Sequence, residues 1–237
     1  MIYNQDCIQG MKDHVRDNTI DLVFTDPPYG IKGDKLDSHY NRASDKVVGG
    51  YCEVNQADYD DFSQQWISQA ARCLRPGGSI YIVSGYTNLH HVLNALHTTN
   101  LKEVNHIIAE YSFGVYTKHK WVSSHYHVLF WTKPGKRTFN QQYADTKTSY
   151  HDRLSVQKLP RDYQTGQKRY QNALSETFID KFINYSSNAG DTVMDPFSGS
   201  FTTQRSAERL GRQFVGFEKN AEAVNEFANK APALAYE

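Results

Sequence analysis

The chain has 237 residues, enough for one well-buried core and too few for two domains of ordinary size, so we expect a single domain over residues 1–237. Its hydrophobic fraction of 39% and charged fraction of 22% are typical of a folded globular protein and exclude global disorder. The formal net charge of +0 excludes a uniformly basic chain but leaves room for a local basic face.

The sequence contains no signal for a membrane or for secretion. No apolar run approaches bilayer length, and the N-terminal residues lack the basic start and apolar stretch of a signal peptide. Cys7, Cys52 and Cys73 are an odd number at wide spacing with no C-x-x-C pair. This pattern predicts reduced thiols in a cytoplasmic protein, with no disulfide framework and no metal site.

The first predicted elements alternate strand and helix. The apolar run Asp21–Thr25 predicts a buried strand, and the Asp-Pro-Pro-Tyr-Gly after it forces a break because proline cannot donate to a sheet ladder. The polar residues 31–55 predict a loop. Helical spacing of apolar residues predicts a helix over Tyr59–Leu74, stopped by Pro76–Gly78, and then a buried strand over Ser79–Ser84.

The middle of the chain predicts a sheet edge followed by an insert. A short helix is expected over Leu89–Leu96. The segments Val104–Glu110 and His125–Trp131 are strand candidates that could pair in antiparallel fashion at the edge of the sheet. Weak periodicity over Pro134–Gln171 predicts a mostly irregular insert.

The last third returns to alternation. It predicts a helix over Leu174–Tyr185, a strand over Thr192–Asp195, a turn of small residues, a helix ending at Leu210 and a strand over Phe214–Glu218. Strands that alternate with helices predict an α/β protein with a doubly wound, mainly parallel sheet and an antiparallel edge.

The turn after Asp195 has the features of a cofactor loop. Small residues let the backbone approach a ligand, and the helix that follows offers free N–H groups. Glu218 stands about twenty residues on, where an acid holds ribose hydroxyls in nucleotide-binding folds. A carboxylate at Asp195 would repel a pyrophosphate and suits S-adenosylmethionine, which carries an ammonium and a sulfonium. Alternatively, Asp195 is a helix N-cap and Glu218 an exposed strand end.

Asp26-Pro27-Pro28-Tyr29 is the most specific string in the chain. An exocyclic amine of adenine or cytosine is a poor nucleophile, so a methylating site must accept hydrogen bonds from both of its N–H groups. The Asp26 carboxylate and the Pro27 carbonyl can do so, held stiffly by the consecutive prolines. The Tyr29 ring offers a stacking face to a base taken out of the helix. The alternative is a strand-terminating turn.

These two motifs, in this order, resemble the β group of amino-methylating DNA methyltransferases, in which the catalytic motif precedes the cofactor motif. The resemblance extends through most of the chain and implies a Rossmann-like class I methyltransferase sheet with a circularly permuted motif order. It also implies direct methyl transfer from S-adenosylmethionine, most often to adenine N6 where the motif begins with Asp. Cytosine N4 stays open. A Rossmann oxidoreductase and a non-catalytic DNA-binding relative are less favoured, because G-x-G-x-x-G is absent and Asp26 and Tyr29 are present.

The resemblance also assigns cofactor contacts. Asp6 and Cys7 would lie beside the adenine, Glu218 at the ribose, and Asn172-Ala173-Leu174 at the methionine side. The remaining expected contacts are in the two motifs: Asp26, Asp195, Pro196, Phe197, Ser198, Gly199, Ser200 and Thr202. Two positions depart from the family pattern: Phe201 replaces a glycine, which predicts a tighter loop, and Tyr170-Gln171 replaces a Lys-Pro pair.

Charge is concentrated between the two motifs. From Lys118 to Arg169 there are eleven Lys/Arg and three Asp/Glu, a local net charge of +8. We expect a small target-recognition insert at about residues 133–171, duplex DNA as the partner and a homodimer, as the resemblance implies. The expected phosphate contacts are Lys118, Lys120, Lys136 and Arg137. The alternative is a solvated, lysine-rich loop.

Overall fold

A mixed eight-stranded sheet forms the centre of the molecule. The structure, a computed structural model, describes residues 1–30, 54–112, 116, 118–160 and 173–228. The strands are β1 (Ile2–Tyr3), β2 (Ile20–Thr25), β3 (Leu74–Ser84), β4 (Lys102–Glu110), β5 (His125–Thr132), β6 (Val156–Lys158), β7 (Thr192–Asp195) and β8 (Gln213–Phe217). The helices are α1 (Cys7–His14), α2 (Tyr59–Cys73), α3 (Leu89–His97), α4 (Thr146–Asp152), α5 (Glu176–Ser186), α6 (Thr202–Arg209) and α7 (Ala221–Phe227).

The strand order is β1-β8-β7-β2-β3-β5-β4-β6. Every neighbouring pair is parallel except the two that β5 makes with β3 and β4. Strands β2 and β7 lie side by side, so the carboxyl ends of the strands that precede the two motifs meet at one edge of the sheet. The predicted α/β fold, mainly parallel and with an antiparallel strand toward one side, is confirmed.

Each face of the sheet has its own core. One cluster joins inward-facing strand residues to apolar residues of α1, α2 and α3, with Trp66, Ile67 and Met11 fully buried. The other packs α5 and α6 against the opposite face through aromatic residues such as Phe24, Tyr81 and Phe182. Among the residues that the structure describes, no helix is long and apolar enough to cross a membrane.

Two boundaries differ from the sequence prediction. Helix α2 ends at Cys73 and β3 already begins at Leu74, so Pro76–Gly78 lie inside a strand and do not terminate the helix. At this junction Nζ of Lys133 donates to the last carbonyls of α2, including Ala71 O at 2.8 Å. Short elements β1, α1 and α7, which have too few apolar positions to show a period, were not predicted.

In its described part, residues 134–160, the insert predicted over Pro134–Gln171 is mostly irregular, as expected, but it also contains the helix α4 and the short strand β6. Asp145 caps α4 by accepting from Thr148 N at 2.7 Å, and β6 then pairs with β4, so β4 is not the outermost strand. Asp152 fixes this arrangement to α5 by accepting from Lys181 Nζ at 2.7 Å and from Tyr185 Oη at 2.5 Å. A three-residue strand has no detectable period, so the sequence did not predict β6.

Candidate active site

The two motifs face each other across an open cleft at the carboxyl edge of the parallel strands. Eight of the residues singled out from the sequence line it: Asp6, Cys7, Asp26, Pro28, Pro196, Phe197, Gly199 and Glu218. Five further lining residues were not singled out: Gln5, Val54, Phe62, Phe217 and Lys219. The cleft therefore joins the ends of β2, β7 and β8 to the start of α1.

The catalytic loop runs from Asp26 to Gly30. The Tyr29 hydroxyl donates to Oδ1 of Asp26 at 2.6 Å, which holds the carboxylate in one orientation. The Tyr29 ring packs over Gly85 at the tip of β3 and lies 6.0 Å from the ring of Tyr126 on β5. Asp26 is thus presented to the cleft by a loop that is packed on its other side.

The loop backbone is held by two buried residues that the sequence analysis did not single out. Tyr59, the first residue of α2, donates through its hydroxyl to Pro28 O at 2.8 Å. Asn88, which precedes α3, donates to Tyr29 O at 2.8 Å. A tyrosine on the apolar face of a helix and an asparagine before a helix are ordinary sequence features, so no local signal distinguishes them.

Asp195 connects the two motifs. It is buried, and its Oδ1 accepts from Thr25 Oγ1 at 2.7 Å and from Phe197 N at 3.1 Å. Thr25 immediately precedes the catalytic Asp26, so this bond ties the end of β2 to the end of β7. Desolvation raises the pKa of Asp195 to about 6. The structure does not bring Asp195 onto the wall of the cleft.

Glu218 holds the glycine of the cofactor loop. Its Oε2 accepts from Gly199 N at 2.8 Å and its Oε1 accepts from Asn220 N at 2.8 Å. Each carboxylate oxygen retains a second lone pair for a ligand hydroxyl. The side chain is therefore a wall of the cleft and a support of the loop at once.

Phe201 occupies the position at which the family pattern has a glycine. Its backbone adopts the left-handed conformation, with φ 56° and ψ 27°, that a glycine would adopt at no steric cost. The ring is fully buried against Phe227, Ala223 and Ala228 near α7. Burial of the ring offsets the backbone strain at this position.

The other predicted contacts are placed as follows. Asp6 caps α1 by accepting from Ile8 N at 2.9 Å, and burial raises the pKa of the Cys7 thiol well above its usual value. Ser198 in the loop and Thr202, the first residue of α6, are buried and do not line the cleft. Ala173 is exposed and Leu174 packs on the second core, so neither lines the cleft, and Asn172 lies outside the described residues.

Aromatic side chains form one wall of the cleft. Phe197 lies 5.8 Å from Phe62 and 5.2 Å from the Trp66 ring, which it meets edge-on. Phe62 has helical spacing with the buried face of α2, so its pattern predicts a core residue and gives no sign of a ligand site. An apolar, aromatic wall of this kind suits a heteroaromatic ring.

The four candidate phosphate-binding residues do not form one group. Lys118 and Lys120 are exposed in the connection between β4 and β5, at the edge of the sheet where the catalytic loop lies. Lys136 and Arg137 follow β5, beside Pro76–Gly77 at the opposite end of β3. The antiparallel run of β5 separates the two pairs.

Comparison with known proteins identifies the family. The model of a DNA methylase family, N6_N4_Mtase, matches residues 20–229. The Type II methyltransferase M.BamHI of Bacillus amyloliquefaciens is 30% identical over 95% of this chain, which spans only 56% of that protein. The M1.HpyAVI–SAM complex matches with a TM-score of 0.70 at 20% identity, over 95% of this chain and 96% of its own. The cytosine-N4-specific PvuII DNA methyltransferase matches with a TM-score of 0.74 at 16% identity, over 98% of this chain and 88% of its own.

Proposed function

The chain belongs to this family of amino-methylating DNA methylases, and from that membership we propose that it methylates an exocyclic amino group of a DNA base, adenine N6, with S-adenosylmethionine as methyl donor. The observation that carries the proposal is the cleft itself, in which Asp26 of the catalytic motif and Glu218 of the cofactor region are lining residues. Two motifs that are far apart in sequence thus share one site.

The cleft fits the proposed cofactor in its chemistry. Glu218 offers carboxylate oxygens to ribose hydroxyls, and Phe62, Phe197 and Phe217 offer apolar surface to an adenine ring. Gly199 lets the backbone come close to the ligand. When bound, S-adenosylmethionine would supply an electrophilic methyl group for the transfer.

The catalytic loop would act on the target amine by accepting its hydrogen bonds. The Asp26 carboxylate takes one N–H and the Pro27 carbonyl the other, which favours a tetrahedral nitrogen with an available lone pair. The Tyr29 hydroxyl keeps Asp26 oriented through its 2.6 Å bond. The Tyr29 ring supplies a stacking face worth about 1–3 kcal/mol to the extruded base.

Adenine is proposed because the catalytic motif begins with Asp. Cytosine N4 is the second candidate, because the fold of this chain is similar to that of a cytosine-N4-specific methyltransferase. Both amines pose the same chemical problem to Asp26 and Pro27, so the choice between them depends on the shape of the base pocket.

DNA contact is proposed for the connection between β4 and β5. Lys118 and Lys120 are exposed there, and Trp121 follows them with 96% of its surface exposed. A tryptophan so exposed on a basic segment suits a base or sugar face. We further propose that the insert at about residues 133–171 contributes target recognition and that the chain acts as a homodimer, which enlarges the footprint on a duplex.

The proposal is tested by incubating the protein with labelled S-adenosylmethionine and unmethylated genomic DNA, followed by nucleoside analysis of the product. We expect label in N6-methyladenine, whereas label in N4-methylcytosine would select the second candidate. No label in any nucleoside, from a protein whose melting temperature rises with S-adenosylhomocysteine, would overturn the proposed reaction while keeping the cofactor.

A further inference from the structure

Three consecutive backbone carbonyls of the catalytic loop are each held by a buried side chain. The Tyr59 hydroxyl donates to Pro28 O at 2.8 Å, and Nδ2 of Asn88 donates to Tyr29 O at 2.8 Å and to Gly30 O at 3.3 Å. Tyr59 is 1% exposed and Asn88 is 3% exposed. Because the two residues belong to different helices, they grip the loop from outside its own strand.

Gly30 makes this grip possible. Its φ of +66° is one that side chains rarely adopt, and a Cβ at this position would collide with the Tyr59 ring and stand 2.6 Å from Nδ2 of Asn88. Any larger residue would push both donors away from the carbonyls that they hold. Gly30 therefore serves the approach of Tyr59 and Asn88, and not only the turn of the backbone.

Asn88 gives up a conventional role to hold the loop. It occupies the N-cap position of α3, where asparagine is favoured because its side chain accepts from the first free N–H groups. Here the side chain makes no such bond, and within the described part of the chain its buried Oδ1 has no hydrogen-bond partner. Turning the amide over would aim its oxygen at two carbonyls, so the donor orientation is fixed. A buried acceptor left unpaired is a cost that a functional constraint explains.

Among the described residues, the carbonyl of Pro27 receives no hydrogen bond, in contrast to the three that follow it. We propose that Tyr59 and Asn88 are positioning residues that fix the catalytic loop so that the Pro27 carbonyl and the Asp26 carboxylate converge on the target amine. This inference rests on the proposed function. Tyr59 and Asn88 touch neither substrate nor cofactor in this scheme; they act through the loop.

The matched test is Tyr59→Phe against Tyr81→Phe. Both tyrosines are 1% exposed, and the hydroxyl of each makes a 2.8 Å hydrogen bond, that of Tyr59 with Pro28 O and that of Tyr81 with Ser186 Oγ in the other core. Both variants keep the ring and lose one buried hydrogen bond, so their melting temperatures should fall similarly. Only Tyr59→Phe should slow single-turnover methyl transfer at saturating DNA and cofactor, on the order of 10- to 100-fold, because the loop is no longer held in place. Its dissociation constant for S-adenosylhomocysteine should stay near that of wild type.

A second pair tests the amide. Asn88→Asp is isosteric but replaces the donor by an acceptor, and Asn140→Asp makes the same change where Nδ2 donates to Asn184 O and Ser187 O, away from the cleft. Asn88→Asp should slow methyl transfer and leave cofactor affinity normal, whereas Asn140→Asp should leave the rate unchanged. Asn88→Gln, which keeps an amide donor, should retain part of the rate.

The outcomes separate the two proposals. An active wild type whose Tyr59→Phe variant transfers methyl as fast as Tyr81→Phe would overturn the positioning role alone. Loss of cofactor affinity equal to the loss of rate would also overturn it. A wild type that methylates no nucleoside would instead overturn the proposed function.

Discussion

The two loops that meet at the cleft are held in opposite ways. In the catalytic loop, residues 27 and 28 are prolines without N–H groups, and the loop is gripped at its carbonyls by the donors Tyr59 and Asn88. The cofactor loop has backbone N–H groups that donate to carboxylates: Phe197 N donates to Asp195 and Gly199 N donates to Glu218. Composition dictates the kind of support, because a proline loop presents acceptors and a glycine loop presents donors.

This difference predicts that the two supports fail separately. Loss of an acceptor should weaken the cofactor loop and hence cofactor binding, whereas loss of a donor should disturb the catalytic loop and hence the rate. A side-chain hydrogen bond from Thr25 to Asp195 joins the ends of β2 and β7 at the cleft.

The largest effect is expected for Asp26→Ala, which removes the acceptor of the target amine. Turnover should fall by a factor on the order of 10³ or more, as when a preorganised hydrogen-bonding group is deleted from an active site. S-adenosylhomocysteine should bind within about threefold of wild type, since the proposed role of the Asp26 carboxylate is to accept from the target amine. Calorimetric titration measures the affinity, and a comparable loss there would remove Asp26 from the catalytic role.

Phe201→Gly tests whether the cofactor loop relies on burial or on backbone freedom. Relief of the left-handed strain should stabilise by about 1–2 kcal/mol, while loss of the fully buried ring should cost about 3–5 kcal/mol. Burial wins, so the free energy of unfolding should fall by about 3 kcal/mol in denaturant titration. Phe201→Ala, which keeps the strain and loses the ring, should be less stable still; the reverse order of the two variants would show that strain governs this position.

Glu218→Ala should act on the cofactor side alone. It removes the acceptor of Gly199 N and Asn220 N together with the proposed ribose contact, so affinity for S-adenosylhomocysteine should fall about 100-fold. Glu222→Ala, an exposed acid in the first turn of α7, is the matched control and should leave affinity unchanged. Unaltered affinity in Glu218→Ala would make the carboxylate a support of the loop only.

The pH dependence of stability reports on Asp195. Its pKa is raised from 3.8 to about 6, so the folded state favours the neutral acid, and this contribution to stability is complete below pH 4 and is lost as the pH rises through 6. The loss between pH 4 and pH 7 should be about 2 kcal/mol. Asp195→Asn stays neutral, so subtracting its unfolding free energy from that of wild type isolates the term. A difference that does not change with pH would mean that Asp195 is not desolvated.

The sequence was sufficient for the sheet and for the lining of the cleft where the signal is local. Asp26 and Glu218 each end an apolar strand pattern, and the parallel arrangement of strands brings their ends to one edge. It was insufficient where a role depends on a distant partner. Tyr59 and Asn88 are positioning residues only because they contact the loop at residues 28–30, which lies 31 residues before Tyr59 and 59 residues before Asn88 when counted between the bonded residues.

The smallest effect on catalysis is expected from the four candidate phosphate-binding residues. The sequence analysis grouped them, whereas the structure separates them into two pairs at opposite ends of β5. Lys118 and Lys120 lie on the catalytic side, whereas the Arg137 guanidinium stands 5.3 Å from the Phe130 ring and 5.7 Å from the Phe139 ring at the far end of β5. Each lysine that contacts a phosphate adds about 0.9 to the log–log slope of DNA affinity against salt. Lys118→Gln with Lys120→Gln should therefore flatten that slope and raise the Michaelis constant for DNA, with little change in the chemical step.

Lys136→Gln with Arg137→Gln removes the same charge and should leave the slope nearly as it is while lowering the melting temperature, because the stacked guanidinium is lost. Equal flattening by both pairs would mean that charge acts through the field of the whole protein and that neither pair makes local contacts.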